Sequence, residues 1–218
     1  MIKARLIELP IAGLLACSLT AFAADTIAPA TAAINGAPAE QLDIVTAHGD
    51  PREDALKLRL ASLIDKYHLQ KWLYTKHIVI DKDAWPPHSH PTLTLGTRDE
   101  RFLTDDVRLA SALLHEEFHW NVVLNGKRGP EESADAIEAV FPGAPAARPA
   151  GSGDRISTYG HVLVCYMEYK ALASVFGDKD ASALLSSEPF YTWDYATVLS
   201  AQNGPAIERL LQEDGLRY

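Results

Sequence analysis

Two histidines and a glutamate in one short segment have side-chain types and a spacing that could bind a metal ion. Residues 115–119 read His-Glu-Glu-Phe-His, so His115 and His119 stand four positions apart. Side chains four apart on a helix project from one face about a turn apart, close enough for both imidazoles to reach one Zn²⁺. Glu116 lies beside such a site, where a carboxylate can hold a water molecule and take its proton. The segment predicts a zinc site with Glu116 as general base.

The surroundings of this segment predict that it lies on a largely buried helix. Thr104, Asp105 and Asp106 can cap a helix over about 105–125, and Gly126 is placed to end it. Burying imidazoles and carboxylates in such a helix is costly unless something pairs with them, and a divalent metal would do so. The alternative is a helix that carries these groups on an exposed polar face. The neighbours favour the buried helix: Leu109, Leu113, Leu114, Phe118, Val122 and Val123.

The motif resembles that of the zincin metallopeptidases, whose active-site helix carries His-Glu-x-x-His. It departs from the metzincin branch, because Val122 and Asn125 occupy the positions of that branch's glycine and third histidine. The resemblance is closer to the gluzincin branch, in which a glutamate on a later helix completes the metal site. It implies an α+β fold, mostly helical, with a small early β-sheet packed on an active-site helix and a second ligand-bearing helix.

A later helix, expected over 157–176, offers two candidates for the third ligand. Glu168 stands among apolar residues, which is unusual for a carboxylate unless it is paired, and we take it as the expected metal ligand. His161 lies two turns away on the same face. It is the alternative ligand, a catalytic donor to the oxyanion of a tetrahedral intermediate, or a half-buried histidine with its hydrogen bonds satisfied. Leu172 stands where gluzincins often carry an aspartate that orients a ligand, so the sequence leaves that partner unidentified.

Other side chains could contribute to the site, but their patterns are less specific. His88 and His90 form a pair in a proline-bounded loop, where they could bind metal, line a cleft or face solvent. Cys165, on the same helical stripe as Glu168, is expected to be a packing residue. Three tyrosines are possible phenol donors to the oxyanion, although packing is the favoured interpretation: Tyr159, Tyr191 and Tyr195.

The remaining pattern supplies the elements that position these residues. Periodicity and cap signals predict helices over 50–68, 105–125, 129–140, 157–176, 180–186 and 204–212. β-branched and alternating runs predict strands over 72–80 and 92–97, separated by a loop over 83–91, and a long Pro/Gly/Ala loop spans 142–156. By the resemblance, the strand 92–97 borders the cleft and its backbone near Gly96 faces an extended substrate.

The N-terminus has the features of an export signal. Residues 1–23 combine Lys3 and Arg5, an apolar run and the small residues of Ala21-Phe22-Ala23. A transmembrane anchor is the alternative, but the run is short for a span of about 20 residues. A lipid anchor at Cys17 is a further alternative. We therefore expect a signal peptide over 1–23, a flexible Ala/Pro-rich lead over 24–41, and one domain over 42–218 without a transmembrane span.

Composition narrows the classes of function. The chain has 218 residues, is 47% hydrophobic and carries a formal charge of −9, which excludes a disordered chain and disfavours nucleic-acid binding. Together with export, the motif predicts a periplasmic or secreted zinc-dependent hydrolase of the metallopeptidase type, acting on a peptide or protein substrate. Two alternatives remain: a metal-binding envelope protein without activity, and a metal-free helical interaction domain that docks through the aromatic residues at 190–195.

Overall fold

The fold is a mostly helical α+β arrangement with a small parallel sheet near its start, as the sequence predicts. The computed structural model describes residues 42–218, so the predicted signal peptide, the flexible lead and Cys17 lie outside the described residues. Two short 3₁₀ helices occur at Leu69–Trp72 and Glu100–Leu103. The strands and α-helices are, in order, β1 (Asp43–Thr46), α1 (Pro51–Tyr67), β2 (His77–Asp81), β3 (Leu93–Gly96), α2 (Asp106–Asn125), α3 (Pro130–Glu138), α4 (Arg155–Phe176), α5 (Asp178–Ser186), α6 (Thr192–Leu199) and α7 (Gly204–Asp214).

The three strands form a parallel sheet in the order β1-β2-β3. Ile78 and Ile80 of β2 are fully buried and pair with residues of both neighbouring strands. Two parts of this sheet differ from the sequence-based prediction. The strand β1 was not predicted, and β2 begins at His77 rather than at Trp72, because the residues before it turn through a 3₁₀ helix.

The outer edge of β3 is covered by the chain itself. The backbone N–H and C=O of Thr94 exchange hydrogen bonds with those of His88, at 2.8 and 3.1 Å. Gly96 is buried, and the carbonyl oxygen of Ala84 occupies the space that a side chain at Gly96 would need. The expectation that the backbone near Gly96 faces a substrate is therefore wrong, because the loop that precedes β3 folds back over the strand.

The helices α2 and α4 form the centre of the described region. The carboxylate of Asp105 accepts from the N–H of Arg108 at the start of α2, and that of Asp154 accepts from the N–H of Ser157 at the start of α4. Gly126 and Gly177 follow the last residues of the two helices. The helix predictions for these segments are confirmed to within two residues, whereas α6 was not predicted.

None of the helices within residues 42–218 is both long enough and apolar enough to cross a membrane.

Glu53 ties the start of α1 to the end of β2. Its fully buried carboxylate accepts hydrogen bonds from the backbone N–H groups of His48, Asp50 and Lys82, and from the ring of His48. Burial works against the charged form, but these donors outweigh it and lower the pKa of Glu53 from 4.5 to about 2. The ionised carboxylate therefore stabilises the fold at neutral pH.

Replacing Glu53 with Gln should lower the free energy of unfolding by about 1–3 kcal/mol at pH 7, because an amide nitrogen then faces backbone donors. Since the folded-state pKa lies below the ordinary value, the carboxylate stabilises above about pH 4.5, and this contribution is lost as the pH falls towards 2. Denaturant unfolding at several pH values should show the difference between parent and variant shrinking in that range. The exposed Asp54→Asn provides a matched control. Equal stabilities at pH 7 would contradict the role of Glu53.

Candidate metal centre

Three histidines converge where α2 packs against α4. His115 and His119 lie one turn apart on α2, and His161 comes from α4. A nitrogen of each ring lies within 4.8 Å of a nitrogen of the other two. The ring centroids are 5.1 Å apart for His115 and His119, 4.8 Å for His119 and His161, and 5.5 Å for His115 and His161. Three imidazoles at these separations form a candidate site for one metal ion.

In two of the rings, a hydrogen bond on the side that faces away from the cluster determines which nitrogen can bind a metal. The Nδ1 atom of His161 lies 2.6 Å from the carbonyl oxygen of Ser157, which can only accept, so this nitrogen carries the proton. The Nδ1 atom of His115 lies 2.9 Å from Oε2 of Glu168. In both rings Nε2 is therefore the nitrogen left to bind a metal, an orientation typical of histidine ligands.

Glu168 is fully buried and its carboxylate is surrounded by donors. Besides the ring of His115, the hydroxyl of Tyr195 donates to Oε2 at 3.0 Å, and the hydroxyl of Ser111 donates to Oε1 at 2.5 Å. The described residues place Glu168 in a second possible ligand group, with His115 and Cys165, rather than with His119. The structure thus joins His115 and His119 to His161, and it holds Glu168 against the far side of one of these rings.

The charges of the cluster favour neutral imidazoles at two of its three positions. Burial lowers the pKa of His119 well below its usual value, and the neighbouring His115 and His161 lower it further. Burial and the proximity of His115 likewise lower the pKa of His161 to about 4. Burial acts against the charge on His115 too, but Glu168 outweighs it and raises that pKa to about 8. Neutral rings with free lone pairs in a buried pocket are the form that binds a divalent cation.

The side chains of Glu116 and Glu117 lie in different surroundings. Oε2 of Glu117 accepts from the backbone N–H groups of Tyr74 and Thr75, at 2.7 and 3.0 Å, so this residue joins α2 to the segment before β2. Glu116 instead lines a cavity that also reaches His115. Burial raises the pKa of Glu116, which brings its basicity closer to neutral pH.

The cavity beside Glu116 has a volume of about 360 Å³. Aromatic residues and prolines form much of its wall, and arginines and carboxylates lie among them. The residues that matter for its chemistry are His115, Glu116, Arg148, Tyr191, Trp85 and Phe190. A concave, largely apolar pocket with a few convergent polar groups is typical of a ligand site.

Tyr191 is a residue of this site for which the sequence favours packing rather than chemistry. Its ring stacks on His161 at 4.3 Å and 21°, and on His115 at 5.5 Å and 16°. Within residues 42–218 its hydroxyl has no hydrogen-bond partner, and its backbone adopts a left-handed φ of 55°. Such backbone strain in a non-glycine residue is concentrated at functional sites. The sequence named it as one of three possible phenol donors but favoured packing, because the helix α6 that it precedes was not predicted.

The remaining candidates lie around the cluster. The ring of His90 stacks on Trp120 at 4.2 Å, and the indole N–H of Trp120 donates to the carbonyl of Ser89 at 2.9 Å. Neither His88 nor His90 belongs to a group of converging ligand atoms in the described part of the chain. Cys165 is fully buried, and burial raises the pKa of its thiol.

Comparison with known proteins gives no relative for this chain: no protein-family model matches it, and neither does any curated protein or solved structure.

Proposed function

We propose that this protein is a zinc-dependent hydrolase of the metallopeptidase type, with the ion held by His115, His119 and His161. The observation that supports the proposal is the convergence of these three rings, in two of which Nδ1 is held by a hydrogen bond and Nε2 is left to bind a metal. Three protein ligands leave a fourth position for water or substrate, as in catalytic rather than structural zinc sites. The assignment exchanges the roles that the sequence suggested for Glu168 and His161.

In this proposal Glu168 is a positioning residue. Its carboxylate accepts from the Nδ1 atom of His115, and Ser111 and Tyr195 hold the carboxylate in place. A carboxylate behind a ligating histidine fixes the tautomer and the orientation of the ring and increases its basicity. The partner that the sequence left unidentified is thus Glu168 itself.

Glu116 is the general base of the proposed reaction. A bound divalent ion would polarise a carbonyl group and bring the pKa of a water molecule to about 7. Glu116 follows a ligand on the helix and lines the same cavity, so it can accept the proton of the attacking water. The same carboxyl group can then pass this proton to the leaving amine.

Tyr191 is placed to stabilise the negative charge that develops on the carbonyl oxygen. Its ring lies over two of the three histidines, and its hydroxyl is free to donate. Burial raises the pKa of Tyr191 to about 12, so the phenol keeps its proton at neutral pH. A fixed donor of this kind stabilises the transition state more than the ground state.

We also propose that the enzyme acts outside the cytoplasm on peptides. The support for this is the sequence alone, through the signal-like residues 1–23.

Metal binding should separate the two assignments of the third ligand. Purified parent protein should retain zinc through dialysis, and His161→Ala should lose it because the group is left with two rings. Glu168→Gln should retain zinc with an affinity reduced about 10–100-fold, as expected for loss of an orienting partner. Elemental analysis and competition with a zinc-binding dye measure both quantities, with His88→Ala as a histidine control. Zinc lost in Glu168→Gln but kept in His161→Ala would restore Glu168 as the ligand.

Glu116→Gln should strongly reduce turnover without loss of zinc. We expect kcat on a fluorogenic peptide library to fall about 10²–10⁴-fold, because the amide cannot accept the proton of water. Glu132→Gln on the exposed surface of α3 is a matched control. Cleavage at the parent rate by the Glu116 variant would refute the general-base role. A parent protein that binds zinc but cleaves no peptide would support the inactive metal-binding alternative.

Tyr191→Phe should lower kcat about 10²–10³-fold, because it removes a hydrogen bond that is made only in the transition state. KM and zinc content should stay close to those of the parent. Tyr169→Phe provides the control, since its hydroxyl already bonds to Asp178. An unchanged kcat in Tyr191→Phe would assign Tyr191 to packing.

A further inference from the structure

One of the arginines that line the cavity has no acidic partner within the described residues. Arg101 is paired with Asp99 at 2.7 Å, and Arg108 is paired with Glu188 at 2.7 Å. Arg148 lines the same cavity but forms no salt bridge with any residue in 42–218. A guanidinium carries five donors in a planar fork that matches a carboxylate. The Nε atom of Arg108 also has no hydrogen-bond partner among the described residues, but it is buried. Arg148 is therefore the arginine of the cavity that has donors left for an anionic ligand and no acidic partner.

The loop that carries Arg148 is tied down rather than loosely attached. The Nε atom of Arg148 donates to the carbonyl of Ser152 at 3.0 Å, which leaves its two Nη groups free. The carbonyl groups of Pro149 and Ala150 accept from the N–H groups of Thr192 and Trp193, at 3.3 and 3.1 Å. These bonds place Arg148 next to Tyr191, whose ring stacks on His161. The guanidinium is thus held beside the candidate metal centre.

The wall around Arg148 is apolar and accessible. Trp85 and Phe190 line the cavity and are 48% and 45% exposed, which is unusual for such large aromatic side chains. Other apolar residues of the wall are Pro86, Pro87, Phe102 and Pro189. An apolar substrate side chain can be buried here while an anionic group next to it binds Arg148.

The closed edge of β3 indicates how much of a substrate can be bound. A long peptide segment that binds by strand addition needs free N–H and C=O groups along an edge. His88 occupies these groups at Thr94, and Ala84 covers Gly96. A cavity of about 360 Å³ with a cation at one side suits the end of a peptide better than its middle.

We propose that Arg148 binds the C-terminal α-carboxylate of a peptide and that the aromatic wall takes the side chain of its last residue. The inference rests on the proposed function and adds a substrate class to it: peptides ending in an apolar or aromatic residue. Water adds to the carbonyl carbon of the last peptide bond and the C–N bond breaks. Glu116 transfers the proton of water to the leaving nitrogen, and the products are a shortened peptide with a new carboxylate and a free amino acid.

Three probes test the proposal on the zinc-loaded protein. They are N-acetyl-Ala-Ala-Phe with a free carboxylate, the same peptide as its C-terminal amide, and N-acetyl-Ala-Ala-Asp amide, whose only carboxylate is on a side chain. We expect the free acid to be cleaved with a kcat/KM at least about tenfold above that of either amide, because a paired charged group contributes this much. Arg148→Ala should remove the preference, and Arg148→Lys should keep part of it.

Arg101→Ala is the matched control, because Arg101 lines the same cavity but already has an acidic partner. The preference for the free acid should survive in this variant. Equal cleavage of acid and amide by the parent, or a preference that persists in Arg148→Ala, would overturn the proposal and leave the peptidase function standing. Preference for the aspartyl amide would assign Arg148 to a side-chain carboxylate and would also overturn it.

A binding measurement keeps the two proposals distinguishable. Zinc-loaded Glu116→Gln protein is titrated calorimetrically with the free acid and with its amide. The carboxylate site is supported if the acid binds more tightly than the amide and if this difference disappears when Arg148→Ala is added. This holds even if the parent cleaves no peptide, a result that would contradict the proposed function but not the carboxylate site. Equal binding of acid and amide overturns the carboxylate site.

Discussion

The buried contact between Glu168 and His115 is the interaction on which the candidate site depends. It lies between α2 and α4, where a carboxylate in a dry interface needs donors for both oxygens. Ser111 and His115 of α2 and Tyr195 of α6 supply them. One ring of the cluster is thereby fixed, and its free nitrogen is directed towards His119 and His161. Loss of any of these partners would leave a polar group unpaired as well as disturb the site.

The elements that hold the site could be predicted because their signals are local. The caps at Asp105 and Asp154 and the glycines that follow α2 and α4 mark these helices in the sequence, and the structure begins and ends them within two residues of the prediction. Short elements were less predictable. The four residues of β1 and the eight of α6 carry little periodic signal, and tertiary contacts decide their structure.

The exchange of roles that we propose between Glu168 and His161 has a definite physical origin. The two residues are seven positions apart and share one stripe of α4, so periodicity shows that both face α2. It does not show which of them lies level with His119, because that depends on how the two helices are set against each other. In the structure His161 meets both histidines of α2, whereas Glu168 lies beside Ser111 and His115. Spacing therefore predicted the face of the helix but not the contact.

The cavity shows a second limit of sequence reasoning, since its wall is built by segments far apart in the chain. Arg148 comes from a loop whose composition predicts only irregular structure, and Tyr191 belongs to an aromatic patch for which packing is the favoured interpretation. Backbone hydrogen bonds between residues 149–150 and 192–193 bring the two side chains together beside α4. Departures from local sequence rules are expected where a protein builds a site rather than a core. The strained tyrosine and the unpaired arginine are both of this kind, and both line the cavity that Glu116 also lines.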